Sequence, residues 1–221
     1  MIRHAVAVLA AAVAVAGCSS GATTTHPSTP KLVPTSALDG LFPGVGDINA
    51  VMGTTMTPHA SISTTTDHRN LLPNLNCLGI WQTGETAIYG QSGFTAIRGQ
   101  VLREPDNDNW NSLVVQTVVS YPSADAAKKF FVESADRWSN CSNHTVNMNS
   151  TGHPQTTLKF GSLTKTDTEL TMPLSSAGGG RSCQRVLAVN DNLIIDVAAW
   201  GQTISNQASE IVSKIEARIP T

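Results

Sequence analysis

The chain opens on an unbroken apolar run: residues 5–16 (AVAVLAAAVAVA) carry no polar side chain, and Arg3 and His4 stand before them. A spanning helix takes about 20 apolar residues, so this run is too short and has the form of the core of a secretory signal. Residues 19–36 (SSGATTTHPSTPKLVPTS) reverse the pattern. With almost nothing to bury, they are expected to form a tether, flexible and extended at its prolines. Regular patterning begins near Ala37, and residues 37–221 are expected to form one folded domain. Residues 47–52 read as a short helix capped by Asp47 and stopped by Gly53. Residues 54–76 are polar and Thr-rich, an irregular crossing or a weak strand. Residues 86–89 and 94–103 read as strands about the turn-like Gly90-Gln91-Ser92-Gly93. Residues 112–121 (SLVVQTVVSY) have the Val and Thr content of a buried strand. Ser123 then caps a helix in which Ala127, Phe130, Phe131, Ser134, Ala135 and Trp138 recur at helical spacing. Residues 142–155 are loop-like, and residues 156–160 and 169–172 read as short strands. Residues 181–189 and 193–200 form a hairpin about Asn190-Asp191-Asn192. Residues 205–218 close the chain as an amphipathic helix. Hairpins, a helix, a further hairpin and a last helix predict an α+β fold, an antiparallel sheet with helices packed on one face.

The end of the apolar run adds a candidate modification. Val15-Ala16-Gly17-Cys18 offers small residues to a signal peptidase and then a cysteine able to carry a diacylglycerol thioether; it resembles a bacterial lipobox. Residues 1–17 are therefore expected to be removed as a signal peptide, leaving Cys18 lipidated ahead of the tether. Two or three acyl chains anchor stably where one is marginal. The mature chain loses one basic residue, Arg3, and keeps 13 basic against 16 acidic, a net charge of −3. It has no basic run and no interleaving of basic and aromatic residues, so nucleic acid is not an expected partner. The expected location is the outer face of a cell membrane, in the envelope.

The remaining cysteines, Cys77, Cys141 and Cys183, face an oxidising compartment. They allow one bridge with one thiol left over, and spacing does not select the pair. No two lie within a few residues of each other, so no metal site is expected. His26, His59, His68, His144 and His153 lack the i, i+4 spacing of ligands and read as surface histidines. Gly90-Gln91-Ser92-Gly93 lacks the G-x-S-x-G spacing of a nucleophile elbow. No nucleophile, base and orienter can be named, so no catalytic residue and no cofactor is expected. Asp196 stands in an otherwise apolar strand. Burying it unpaired is costly, so it reads as a salt-bridged sheet position, with Arg98, Arg181 or Arg185 as partner. The other reading makes Asp196, Arg98 and Arg185 polar groups lining a cleft.

Several segments carry a family resemblance: Asn49-Ala50-Val51-Met52-Gly53, Cys77-Leu78-Gly79, Tyr89-Gly90-Gln91-Ser92-Gly93-Phe94, Gly99-Gln100, the stretch from Val114 to Ala124, Trp138-Ser139-Asn140-Cys141, Ser182-Cys183-Gln184-Arg185 and Asn192 to Val197. In order and spacing they resemble the extracellular sensor domain of mycobacterial PknH-type Ser/Thr kinases, a domain that also occurs in mycobacterial lipoproteins. The resemblance covers about residues 36–219. It implies an α+β domain with a cleft for an unknown ligand, and two disulfides from four cysteines. Trp200 stands where the fourth cysteine is expected. If the family joins its middle pair and its outer pair, Cys141–Cys183 survives and Cys77 is unpaired. Unlike the kinases, the chain shows no kinase domain and no spanning helix. The expected role is a non-enzymatic binding or sensing module for a small molecule, glycan or lipid of the envelope. The alternative is a module that docks an envelope protein.

Overall fold

The computed structural model describes residues 32–149, 156–178 and 180–220. The apolar run, Cys18 and the tether as far as residue 31 lie outside the described residues, as do His26 and His153. Within them the fold is α+β. A nine-stranded sheet, antiparallel at every strand pairing, runs in the order β1-β2-β3-β9-β8-β7-β5-β4, with β6 on β7. The strands are β1 (Thr57–Ile62), β2 (Ala96–Glu104), β3 (Ser112–Ser120), β4 (Thr145–Asn147), β5 (Thr157–Phe160), β6 (Thr164–Lys165), β7 (Glu169–Ala177), β8 (Ser182–Asn190) and β9 (Leu193–Gly201). The helices are α1 (Val45–Met52), α2 (Leu75–Trp81), α3 (Thr86–Tyr89), α4 (Ala124–Cys141) and α5 (Gln207–Glu216), preceded by a 3-10 helix over Thr35–Leu41. No helix among the described residues is long and apolar enough to cross a membrane.

Strand alternation explains a correction to the expected architecture. Along β9, Leu193, Ile195, Val197 and Ala199 point to one side, where α5, α1 and the 3-10 helix pack. Ile194, Ala198 and Trp200 point to the other, against α2 and α4. The central strands are apolar on both faces, so helices cover both rather than one.

Several element readings hold. Ser123 caps α4 by accepting the Ala126 N–H, and Asp191 takes a positive φ of 47° in the β8–β9 turn. Others change. Residues 86–89 form the helical turn α3, because β1 occupies the edge of β2 that a hairpin would need. Gly44, and not Asp47, is the N-cap of α1; Asp47 instead pairs with Lys214 and Arg218. The domain starts earlier than Ala37. Val33 is buried, and its backbone is held in both directions by the Asn192 side chain.

Candidate ligand-binding cleft

One end of the α2/α4 face of the sheet is left open. Three register rows explain it. Thr117, Asp196 and Leu187 lie in one row beneath the helices, with Gly99 beside them. The next row is Val101, Val115, Ala198 and Arg185. The row at the strand ends is Arg103, Leu113, Trp200 and Cys183. Neither α2 nor α4 extends over the outer part of these last two rows, and a cleft of about 680 Å³ opens there. This lies within the range of about 300–1,000 Å³ that small-molecule sites occupy. Its floor is Val101, Leu113, Val115 and Ala198, and its walls include Ile62, Trp81, Trp110, Leu158 and Trp200. Three of the chain's four tryptophans thus meet in one cavity. Trp110 and Trp200 contact edge to face at 6.5 Å, and the Arg181 guanidinium lies 4.2 Å from the Trp110 ring centre.

Two histidines reach the rim, each tied to a carboxylate. His59 pairs with Asp106 at 2.6 Å. His68 pairs with Glu85, whose side chain is fully buried and also accepts the His68 backbone N–H. This bond and an edge-to-face contact with Trp81 at 5.8 Å fix the His68 ring at the cleft wall. Glu85 raises the His68 pKa, while partial burial opposes it. Neither histidine is hydrogen bonded to a hydroxyl or thiol among the described residues. Ser92 spends its hydroxyl on Tyr121.

The expected cleft polar residues fall elsewhere. Asp196 and Arg185 are on the cleft's face of the sheet but roofed over by α2, both essentially unexposed. Arg185 pairs with Asp196 at 2.5 Å and donates to the Ile80 and Gly79 carbonyls. Tyr89 donates its hydroxyl to the other carboxylate oxygen. Asp196 is therefore the salt-bridged sheet position, with Arg185 as its partner. Burial still lifts the Asp196 pKa above the usual carboxylate value, with Arg185 and Tyr89 pulling the other way. The pair positions the cleft: it clamps the C-terminal turn of α2, from which Trp81, Gln82 and Thr83 form the back wall. Arg98 is on the opposite face, paired with Asp39 at 3.5 Å.

The disulfide expectation is overturned. Cys77 on α2 is bonded to Cys141 at the end of α4, with Cα atoms 5.2 Å apart, and Cys183 is the free thiol. The two helices pack on each other, whereas Cys183 sits on β8 directly across from Trp200. The strand pairing therefore makes position 200 the natural partner of Cys183, and the Trp200 indole leaves that thiol unbridged. Burial pushes the Cys183 pKa far above that of an ordinary thiol.

A sheet helix-covered on both faces, with a tryptophan-walled cleft at one end, defines an α+β domain. Residues 33–218 match the family described as the PknH-like extracellular domain, and the chain belongs to that family. It is 32% identical over 192 residues to the serine/threonine-protein kinase PknH of Mycobacterium bovis and to that of Mycobacterium tuberculosis. These matches take in 86% of this chain but only 32% and 30% of the kinases' length. The crystal structure of the extracellular domain of PknH from Mycobacterium tuberculosis superposes with a TM-score of 0.79 at 33% identity, covering 85% of this chain and 97% of that one. The domain is of the extracytoplasmic, sensor-like type.

Proposed function

We propose that this chain is a lipid-anchored extracytoplasmic binding protein that captures a small ligand of the envelope in the cleft and catalyses no reaction. The observation that carries this reading is the convergence of Trp81, Trp110 and Trp200 on one cavity of ligand size. Trp138 serves the core, and Trp200 is largely buried as well, but Trp81 and Trp110 are only partly buried; lining an open cavity beside Trp200, they supply contact area to a guest. The anchor rests on Val15-Ala16-Gly17-Cys18, and signalling then requires a partner or a released ligand. Protein docking is less well supported. The large apolar side chains most exposed among the described residues are only Leu32, Val45, Leu75 and Val132, one each from four separate segments.

Native mass spectrometry of the protein purified from its own envelope tests the reading. A small molecule should co-purify, and Trp200→Ala should reduce its occupancy. A bare protein in every preparation, or unchanged occupancy in the variant, overturns it.

A further inference from the structure

Charge and polarity around the cleft select among ligand classes. The chain is acidic overall, with a formal net charge of −2. Yet among the described residues no aspartate or glutamate lines the cleft, whereas Arg103, Arg181, His59 and His68 do. The acids nearby are already committed: Glu85 lies buried behind His68, and Asp106 is bonded to His59. The two arginines are not fully satisfied. Arg181 has no ion pair among the described residues and rests on Trp110. Arg103 meets only the fully exposed Asp108, at 3.2 Å, and its Nε is buried without a hydrogen-bond partner. An exposed partner of that kind is screened and readily exchanged. Both arginines stand at the same end of the sheet, with β3, its leading Trp110 and β9 between them.

We propose, on the basis of the cleft reading above, that the ligand is an anionic amphiphile. Its carboxylate or phosphate head pairs with the guanidiniums of Arg103 and Arg181 at the rim, and its apolar body lies over Val101, Leu113, Val115 and Ala198. An acid head supplies the Arg103 guanidinium with a partner better placed than the fully exposed Asp108, and Arg181 with the counter-charge it lacks. A low-dielectric floor beside two cations strengthens that pairing. A neutral sugar fits less well. Its hydroxyls call for carboxylate and amide partners, and Gln82 is the one side-chain amide lining the cleft among the described residues.

The test uses the full mature chain carrying Cys18→Ala, titrated with oleate, oleoyl lysophosphatidate and the uncharged monoolein while tryptophan fluorescence is followed. At least one anion should saturate the signal and bind about tenfold or more tighter than monoolein. Preference for oleate assigns a carboxylate head, and preference for the lysophosphatidate assigns a phosphate head. Arg103→Met and Arg181→Met should each weaken the anion by about tenfold while leaving monoolein unaffected. Arg98→Met removes the same charge from the opposite face and should leave the anion affinity intact. Equal binding of monoolein and the anions, or equal loss in Arg98→Met, overturns the proposal. So does failure of all three probes to bind. If native mass spectrometry then still finds a co-purified molecule, the ligand class has failed and the cleft reading stands.

Discussion

His68 couples the cleft wall to pH. Its partner Glu85 is wholly buried, and the residues around it stitch two segments together. The Thr66 N–H donates to the Gly84 carbonyl at 3.1 Å, and the Thr86 N–H to the Thr66 carbonyl at 2.7 Å. Raised by the hydrogen bond to Glu85 and helped by Asp67, the His68 pKa stands above its unfolded value of 6.5. The stability contributed by such a group is complete below the unfolded pKa and is lost as pH rises through the folded one. The thermal midpoint should therefore fall as pH rises from about 6 to about 8. His68→Gln keeps a donor for Glu85 but cannot take the charge, so its midpoint should vary less over the same window. Differential scanning calorimetry at closely spaced pH values would reveal this, and an equal slope in both proteins would remove His68 as the cause. The buried Arg185–Asp196 pair works differently. Removing one partner of such a pair costs about 3–5 kcal/mol, although the pair itself need not be stabilising. Its evident contribution here is geometric, since Arg185 ties the end of α2 to the sheet.

At the scale of elements, the Cys77–Cys141 bridge fastens α2 to α4 and so holds the roof behind the cleft. It closes a loop with a sequence separation of 64. The lost chain entropy of such a loop corresponds to about 4 kcal/mol. Replacing both cysteines with serine should lower the unfolding free energy by an amount of that order in a denaturant titration. Peptide mapping should find Cys77 joined to Cys141, with Cys183 resisting alkylation until the protein unfolds. A bridge to Cys183, or no change in stability, would contradict the structure. The amphipathic helix α4, the β8–β9 hairpin, β3 and α5 were all legible in the sequence, because each buries one periodic stripe or carries its own turn residues. Other features were legible only weakly or not at all. β1 is an edge strand, mostly exposed, so its residues show no apolar alternation. α3 is a single turn whose composition suits a strand, and only the neighbours of β2 exclude that. The cysteine pairing depended on which elements stack, which spacing does not encode. The cleft was equally hidden: Trp81, Trp110 and Trp200 are far apart in the chain, and only the strand register brings them together. The motif around Asp196 pointed to a real polar cluster, but whether α2 would cover it was a question of packing.

At the scale of the whole molecule, the point where the chain enters the domain and the cleft lie at opposite poles. The chain enters the domain at Val33, clamped by Asn192 in the β8–β9 turn. Trp200 stands at the far end of β9, some seven residues on from Leu193, which is about 23 Å at the rise of an antiparallel strand. Val33 also packs on the α5 face, whereas the cleft opens on the other. A domain held at Cys18 would thus be attached by the pole away from its cleft. Fully extended, the 15 residues from Cys18 to Val33 reach at most about 50 Å. With a lipid on Cys18, this range would keep the domain near the membrane while leaving the cleft free to face outward. The arrangement depends on the lipid, because a cleaved signal with an unmodified cysteine would release the domain. Cys18→Ala should therefore move the protein from the membrane pellet to the soluble fraction. The released protein should retain the Cys77–Cys141 bridge and a cooperative unfolding transition, since every described contact lies beyond residue 31. Membrane retention of the variant equal to that of the wild type would refute the anchor. Retention combined with an intact fold would point instead to attachment through the domain surface.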